Sequence, residues 1–314
     1  MIEPDVSVVV CTHNRAAALR DALDSLAAQD TGDGFTFEIV VVDNASTDAT
    51  ADVVREVSAA CLIPTRRVFE PHKGIATARN RGVKEARGPW IAFFDDDQLA
   101  DARWLAELLL AARIRRTRCV GGKVELKLPA GFHRDLSPFC RRLLGASVGL
   151  NGLRRYNHRI TPGTGNLLVH RSVFEDIGRF DEAFQRQGED TDLFMRMLAA
   201  GIQAWYTPTA IVHHVIPPER LEDAWFLEAA TRIAAGVAEN ERQAWGRLGF
   251  PFAWAARVAQ AALVLWPRAV LARLSGDHES LLAARCRLAV AGRHLSDGLA
   301  LLLSGDLNSG RPAC

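Results

Sequence analysis

Three consecutive acids, Asp95-Asp96-Asp97, follow directly on the run Trp90-Ile91-Ala92-Phe93-Phe94. Adjacent carboxylates repel one another, so such a cluster is stable where something positive compensates it. Hard divalent cations can do so, and Mg²⁺ is typically held by one or two carboxylates together with substrate phosphates. An isolated acidic triplet is also at home in a solvated turn. Here the preceding apolar run is continuous rather than alternating, the pattern of a strand buried on both faces. Ligands of open α/β sheets bind at the carboxyl ends of such strands. The placement therefore predicts a metal-diphosphate site.

Other residues are placed for related chemistry. Asp43 ends the run Glu38-Ile39-Val40-Val41-Val42. Its carboxylate can accept a hydrogen bond from the imide N–H of a pyrimidine base, or serve as a turn residue. Thr12 and Arg15 flank the loop after the first apolar run, and an Arg there offers a planar fork for phosphate or is a surface residue at a helix start. Arg79 and Asn80 fall within a helical pattern, so Arg79 can point at a diphosphate or pair with Glu85 or another acid. Glu189-Asp190 opens a helix, where the dipole alone favours carboxylates. The same pair can supply a general base, provided that it reaches the hydroxyl proton it removes. His213 and His214 are neighbours on a strand and point to opposite faces, so one at most can reach the site.

The elements that must position these residues read as follows. Val6-Ser7-Val8-Val9-Val10-Cys11 is a β-branched first strand, and Asn14 is placed to cap the helix after it. In that helix Leu19, Ala22, Leu23 and Leu26 share a face, and Gly32-Asp33-Gly34 breaks it. Glu38–Val42 is the second strand, with Ser46 as the next N-cap and Asp48 in the first turn. A short strand over 66–70, a helix over 74–87 closed by Gly88-Pro89, and the strand at Trp90 complete a β-α-β-α-β-α-β unit, which implies a parallel sheet with helices on both faces.

Beyond Asp97 the spacing predicts a helix over 104–112 and an alternating strand over 123–128. An irregular stretch over 129–162 follows, then a strand over 166–170. A short helix over 172–177 is closed by Gly178, and a helix from Gly188 is closed by Gly201. Two short strands over 202–207 and 210–214 come next, and mostly helix follows from Glu219.

With 314 residues the chain has room for roughly two structural units. Its 48% apolar and 24% charged content is that of a soluble globular protein. Lys and Arg number 38 against 37 Asp and Glu, which gives no reason to expect nucleic acid as a partner. The six cysteines, from Cys11 to Cys314, form no C-x-x-C pair. This predicts reduced thiols in a cytoplasmic protein rather than a zinc site. The N-terminus carries no signal-peptide pattern.

Taken together, these stretches resemble the family 2 glycosyltransferases of the GT-A fold over about residues 4–220. Val8 to Arg15 resembles the family's first-strand nucleotide motif, and Val41 to Asp48 its second. Gly74 to Gly82 resembles the helix before the metal strand. Phe94-Asp95-Asp96-Asp97 resembles the DxD motif, Gly163-Thr164-Gly165-Asn166 the acceptor-side strand, and Gly188-Glu189-Asp190 the motif that carries the base. His214 before Pro217-Pro218-Glu219-Arg220 resembles a further metal or diphosphate contact. Two departures stand out. His13 lies where the family often has an aromatic residue, and Gln98 where many members have another Asp.

The resemblance implies an α/β fold of GT-A type, a Rossmann-like, doubly wound and mainly parallel sheet. A smaller antiparallel acceptor-side part and a C-terminal helical extension complete it. The catalytic domain would span residues 1–218, divided at residue 98 into donor and acceptor halves, with 219–314 as the helical region. The activity implied is inverting transfer from a nucleotide-diphosphate sugar, UDP- or dTDP-linked, in cell-envelope or polysaccharide biosynthesis. The acceptor would be a glycan, a lipid-linked molecule or a small molecule. Nucleotide-sugar contacts fall to Thr12, His13, Asn14, Arg15, Asp43, Asn44, Lys73, Arg79, Asp95 and Asp96. Asp97, with Asp95 and His214, would hold Mn²⁺ or Mg²⁺. Gly165 and Asn166 lie on the acceptor side. Asp190 would be the base, with Glu189 as its alternate.

Three other readings compete. A metal-dependent nucleotidyltransferase normally opens with a Gly-rich loop after its first strand, and Cys11-Thr12-His13-Asn14-Arg15 has no Gly. A non-catalytic sugar-nucleotide-binding protein would not need both Asp97 and Asp190. A dinucleotide dehydrogenase would carry G-x-G-x-x-G after the first strand, which is not the case.

Residues 249–267 are nearly all apolar, with Arg257, Gln260 and Pro267 among them. Arg near the centre makes a spanning helix costly, which predicts instead a helix packed on the protein, a homodimer interface, or a peripheral contact with the cytoplasmic face of a membrane.

Overall fold

The structure is a computed structural model that describes residues 3–32, 34–158, 160–184 and 188–303. Asp33 and Cys314, both used in the sequence reading, lie outside the described residues. The chain divides into two compact units, one of residues 1–127 and 149–215 and one of 128–148 and 216–314.

The first unit follows the order β1 (Val6–Thr12), α1 (Ala16–Ala27), β2 (Phe37–Asp43), α2 (Thr50–Ala60), β3 (Thr65–Phe69), α3 (Ile75–Glu85), β4 (Trp90–Asp95), β5 (Gln98–Ala100), α4 (Trp104–Arg115) and β6 (Cys119–Lys127). Helix α5 (Pro138–Leu143) belongs to the second unit. The first unit resumes with β7 (Arg154–Arg155), β8 (Asn166–His170), α6 (Arg171–Ile177), α7 (Glu189–Ala199) and β9 (Ala204–Val215).

The strands form one sheet in the order β3-β2-β1-β4-β8-β6-β9-β5, with β7 paired to β9. The first four are mutually parallel. From β8 onward the sheet is mixed: β8 runs antiparallel to β4 and β6, and β6 runs parallel to β9. The sheet is thus mixed, with four parallel and four antiparallel pairings among the described residues: the doubly wound parallel half is as expected and the antiparallel part is larger than expected.

Alternation along the strands fills both faces. Val8 and Val10 of β1 pack with Leu19, Leu23 and Leu26 of α1, Val54 and Val57 of α2, and Trp104 and Leu108 of α4. Val9, between them, packs on the other face with Ala76 and Val83 of α3 and with Leu193, Phe194 and Met197 of α7. Burying each such aliphatic side chain contributes about 1.5–3 kcal/mol, which is why the strands read as unbroken apolar runs. On the α3 face the approach is close: a Cβ on Gly82 would lie 2.3 Å from Cγ1 of Val9.

Several local expectations are corrected. Neither Asn14 nor Ser46 caps a helix. The chain turns left-handed at Asn14, with φ of 53°, and one acid serves both helix starts instead. Asp48 Oδ2 accepts from Ala16 N (3.0 Å) and its Oδ1 from Thr50 N (3.1 Å). The two strands expected over 202–214 are the single strand β9. The register of its pairing with β6 shifts between Gly121 and Lys123, so the irregularity falls within the ladder and does not interrupt the strand. Strand β6 begins at Cys119 and its first residues are fully buried. There both of its faces are covered, Val120 in the core on one side and Cys119 in the core on the other, so no alternation develops. The stretch over 129–162 is not wholly irregular, since it contains α5 and β7. The described cysteines are all free thiols.

The second unit consists of α5, a 3-10 turn over Pro218–Leu221, and the helices α8 (Asp223–Ile233), α9 (Val237–Gln260), α10 (Trp266–Ser275) and α11 (His278–Leu303). A π-helical segment, Ala261–Leu265, joins α9 to α10. Arg134 ties the unit together by donating to Glu279 Oε1 (2.6 Å), Asp223 Oδ1 (3.0 Å) and the carbonyl of Leu221 (3.0 Å). Trp254 donates Nε1 to the carbonyl of Leu295 at 3.0 Å.

The run Trp245–Ser275 is long and apolar enough to cross a membrane by length and composition, and 6% of its apolar window is buried. Phe250 points inward, whereas Phe252, Leu263 and Trp266 are solvent-exposed. Packing within the protein therefore accounts for little of its apolar surface.

Candidate functional site

The carboxyl edge of the parallel strands gathers most of the residues that the sequence singles out. In the sheet register Thr12 lies beside Asp43 and Cys11 beside Asp95. Strand β4 ends at Asp95, and Asp96 and Asp97 form the turn into β5. Arg15, from the loop after β1, spans this turn. Its Nη1 donates to Asp96 Oδ1 at 2.9 Å and to Asp97 Oδ2 at 3.0 Å. Asp96 is buried, and burial raises its pKa against the pull of Arg15 and of the Thr12 hydroxyl. Burial also pushes Asp95 up to about 6. Arg79 opposes that rise, while Asp97 and Asp96 add to it. Cys11 is no nucleophile: burial pushes its thiol up to about 12.

His214 and His213 take opposite sides of β9, as alternation requires. His214 pairs with Gln98 in the ladder, and its Nε2 lies 3.5 Å from Asp97 Oδ2. His213 turns away, with Nε2 2.7 Å from Asp101 Oδ1. Among the described residues no group of three His, Cys, Asp or Glu side chains is arranged to hold a metal ion unaided.

Arg79 is buried on α3 and ion-paired to Glu189, the first residue of α7, itself 3% exposed. Arg79 Nη2 also lies 3.8 Å from Asp95 Oδ1. The pairing with Glu85 considered from sequence does not form, because Glu85 pairs with Arg66 and Arg81. The second oxygen of Glu189, Oε2, is buried without a hydrogen bond. Asp190 is half-buried, with its Oδ1 2.7 Å from Thr191 N. The two acids of the pair are thus in different environments: one is neutralised by a buried guanidinium and the other borders solvent.

The remaining loops are stitched to one another. Asn14 Oδ1 accepts from Thr47 N (2.7 Å), and Asn14 N donates to the Ser46 hydroxyl (3.0 Å). His13 Nδ1 lies 2.8 Å from the carbonyl of Asn44. The amide of Asn44 is spent on the next loop: it donates to the carbonyls of Glu70 and His72 and accepts from Gly74 N. Lys73, at the tip of that loop, is solvent-exposed.

Asp43 is almost fully buried and engaged on both oxygens, Oδ1 by Ser46 N (2.9 Å) and Oδ2 by Arg67 Nε (2.8 Å). Arg67 was not singled out from sequence. The signal that could have found it is Arg66-Arg67 opening a strand beside one that carries acids at Glu38 and Asp43, since Arg66 reaches Glu38 in the same way. The Arg67 guanidinium also lies 5.4 Å from the centroid of the Phe69 ring, which is half exposed.

On the far side of β4, Asn166 acts as a cross-brace. It accepts from Trp104 Nε1 at 2.8 Å and donates to the carbonyls of Lys123 and Ala210, each at 3.0 Å. Gly165 before it lies against Asp95 and Gln98: a Cβ there would meet Asp95 Oδ2 at 2.2 Å and Gln98 Nε2 at 2.6 Å. Gly165→Ala should therefore force these side chains apart and cost about 1–3 kcal/mol. The measurement is the urea midpoint, which falls at unchanged m-value if the fold is kept.

Comparison with known proteins shows what this arrangement is similar to. The sequence matches "Glycosyl transferase family 2" over residues 7–178 and "Glycosyl transferase family group 2" over residues 145–292. It is 29% identical over 282 residues to the succinoglycan biosynthesis protein ExoM of Rhizobium meliloti (strain 1021), covering 84% of this chain and 86% of that protein. The validoxylamine A glucosyltransferase of Streptomyces hygroscopicus subsp. jinggangensis (strain 5008) is 42% identical over 225 residues, 63% of this chain but 52% of its own length. Among solved structures, the mannosyltransferase PcManGT from Pyrobaculum calidifontis, in complex with GDP-Man and Mn²⁺, matches with a TM-score of 0.61 at 22% identity, over 95% of this chain and 88% of that one. At that identity the likeness is one of fold.

Proposed function

Because the chain belongs to glycosyl transferase family 2 and has the GT-A fold, we propose that it moves a sugar from a nucleotide-diphosphate donor to an acceptor hydroxyl with inversion at the anomeric carbon. The observation that carries this reading is the convergence on one sheet edge of Asp95 to Asp97, Arg15, Arg79, His214 and the start of α7. That convergence suits a diphosphate on one side and a base on the other.

The nucleotide lies over the loops after β1 and β2. A uracil or thymine imide N–H donates to Asp43 once its buried carboxylate, held by Arg67 and Ser46, is uncovered. Arg15 moves from its acids to the diphosphate, for which its fork is suited. Asp190 takes the proton of the attacking hydroxyl, and the oxygen displaces the diphosphate in one step, which inverts the carbon. No covalent intermediate on the protein is needed.

The residues fit a divalent cation in kind. Asp97 and Asp95 offer carboxylate oxygens of the type Mg²⁺ and Mn²⁺ accept, His214 can add its imidazole, and diphosphate oxygens make up the number that the protein does not provide. When bound, the ion neutralises charge developing on the leaving diphosphate.

Asp97→Asn removes one charged ligand and is expected to weaken Mn²⁺-dependent donor binding by about tenfold, the equivalent of roughly 1.4 kcal/mol. Calorimetric titration with nucleotide sugars, with and without Mn²⁺, measures it. Unchanged metal-dependent affinity overturns the assignment. Donor hydrolysis by the unaltered chain separates this enzyme from a non-catalytic binding protein.

The relation to a succinoglycan biosynthesis protein supports a place in polysaccharide assembly, and the exposed apolar run Trp245–Ser275 supports a peripheral contact with the cytoplasmic face of a membrane. Phe252→Glu together with Trp266→Glu, both at exposed positions, is expected to reduce recovery with floated anionic liposomes while leaving helical content unchanged. Equal recovery of variant and unaltered chain would sink the membrane contact.

A further inference from the structure

Two of the buried cysteines meet within the helical unit. Cys140 lies on α5 and Cys286 on α11, and both side chains are fully buried. Their thiols are in hydrogen-bond contact. Two further contacts hold the same stretches of chain together and flank Cys286. Arg134, ahead of α5, donates to Oε1 of Glu279 in the first turn of α11 at 2.6 Å. The guanidinium of Arg287, next to Cys286, stacks 5.0 Å from the centroid of the ring of Phe139, next to Cys140. Buried cysteines can pack simply as small apolar side chains. Cys119 does so: it is equally buried, and burial pushes its thiol up to about 12.

The pair differs because the hydrogen bond gives its two sulfurs separate roles. The S–H of Cys286, held toward Cys140, draws the Cys140 thiol below the usual thiol range against the effect of burial. The Ser137 hydroxyl and the Arg134 guanidinium act in the same direction, and Glu279 opposes them. The same bond, together with burial, holds the Cys286 thiol up. The nucleophile of thiol–disulfide exchange is the thiolate, so Cys140 is the attacking sulfur and Cys286 keeps its proton. Access comes through α5. This helix has six residues, and Cys140 is the one that is buried. A helix that short has little stability of its own, so local opening uncovers Cys140 without unfolding the unit.

We propose that Cys140 and Cys286 are a redox-sensitive pair, which a small disulfide such as oxidised glutathione converts to an intramolecular disulfide that fastens α5 to α11. In the first step the Cys140 thiolate attacks one sulfur of the small disulfide. A mixed S–S bond forms, the original one breaks, and one small thiolate leaves. With its sulfur bonded, Cys140 no longer holds the proton on Cys286. Cys286 gives that proton to the released thiolate and attacks the Cys140 sulfur, which expels the second small thiolate. This takes up the proton that Cys140 lost to solvent on ionising. The two cysteine thiols are thereby oxidised and the small disulfide is reduced to two thiols, and excess thiol drives the steps backwards. This chemistry does not depend on the transfer reaction at the sheet edge.

The test treats the full, folded chain with oxidised glutathione, blocks the remaining thiols with iodoacetamide, and maps the peptides by mass spectrometry. The peptides of Cys140 and Cys286 should appear joined, and dithiothreitol should release them. In Cys286→Ser the reaction should stop with glutathione on Cys140. In Cys140→Ser, Cys286 should stay unmodified. Because the bond closes the long loop between positions 140 and 286, the oxidised chain should unfold at a urea concentration higher by roughly 1 M than the reduced chain. Cys140→Ser given the same treatment should show no such rise. Joined peptides that form only in urea, or a link from either cysteine to Cys61 or Cys314 instead, would overturn the proposal. So would glutathione reaching Cys286 in Cys140→Ser as fast as it reaches Cys140 in Cys286→Ser, or a joined pair that leaves the urea midpoint unmoved.

Discussion

Replacing Asp190 by Asn is expected to leave nucleotide-sugar affinity nearly unchanged and to lower kcat by roughly 10²–10⁴, the range that general-base catalysis contributes. The choice of Asp190 over Glu189 rests on their surroundings. Glu189 is buried and neutralised by Arg79. Packed against Arg79 and closed off from solvent, its carboxylate is not placed to meet an incoming hydroxyl. Asp190 is half-buried at the same helix start, open to an incoming hydroxyl. Steady-state kinetics with a matched titration of donor affinity measures the effect. Turnover that survives Asp190→Asn and disappears in a folded Glu189→Gln would reverse the assignment.

Arg79→Met is expected to be the most destabilising single change at the site, by about 3–5 kcal/mol. It leaves Glu189 as an uncompensated buried charge, and breaking a buried pair from one side costs that much. Glu189 already has one oxygen without a hydrogen bond, so it has no second partner to fall back on. The double change Arg79→Met with Glu189→Leu should recover most of the loss, since apolar residues of similar volume often replace a buried pair at little cost. Urea denaturation of both variants against the unaltered chain decides it. A double variant no more stable than the single one would mean that the pair is not what holds α3 to α7. The single variant should also bind donor less well, because Arg79 lies 3.8 Å from Asp95.

The strand core was legible from sequence because burial on both faces leaves a mark in composition. Val8 to Cys11, Ile39 to Val42 and Trp90 to Phe94 are unbroken apolar or β-branched runs, and each became part of a parallel strand. The acids at strand ends were legible for the same reason, since they interrupt those runs. Partners across the sheet were not. Arg67 sits opposite Val41 in the register yet reaches Asp43, a relation fixed by strand order rather than by distance along the chain. The helix caps failed similarly. A residue just before a helix was the natural choice, and the donors went instead to Asp48, which lies far from α1 in sequence. Long-range hydrogen bonds of this kind leave no periodicity to read.

The loops after β1, β2 and β3 share hydrogen bonds through Asn14, Asn44 and Asp48, and this has a consequence for engineering donor choice. Transplanting one of the three loops from a relative with another nucleotide preference would strand polar groups that the other two now satisfy. The unit of exchange is the whole set, residues 12–16, 43–50 and 70–74 moved together. A nucleotide preference in this scaffold is inherited as a block rather than tuned one position at a time.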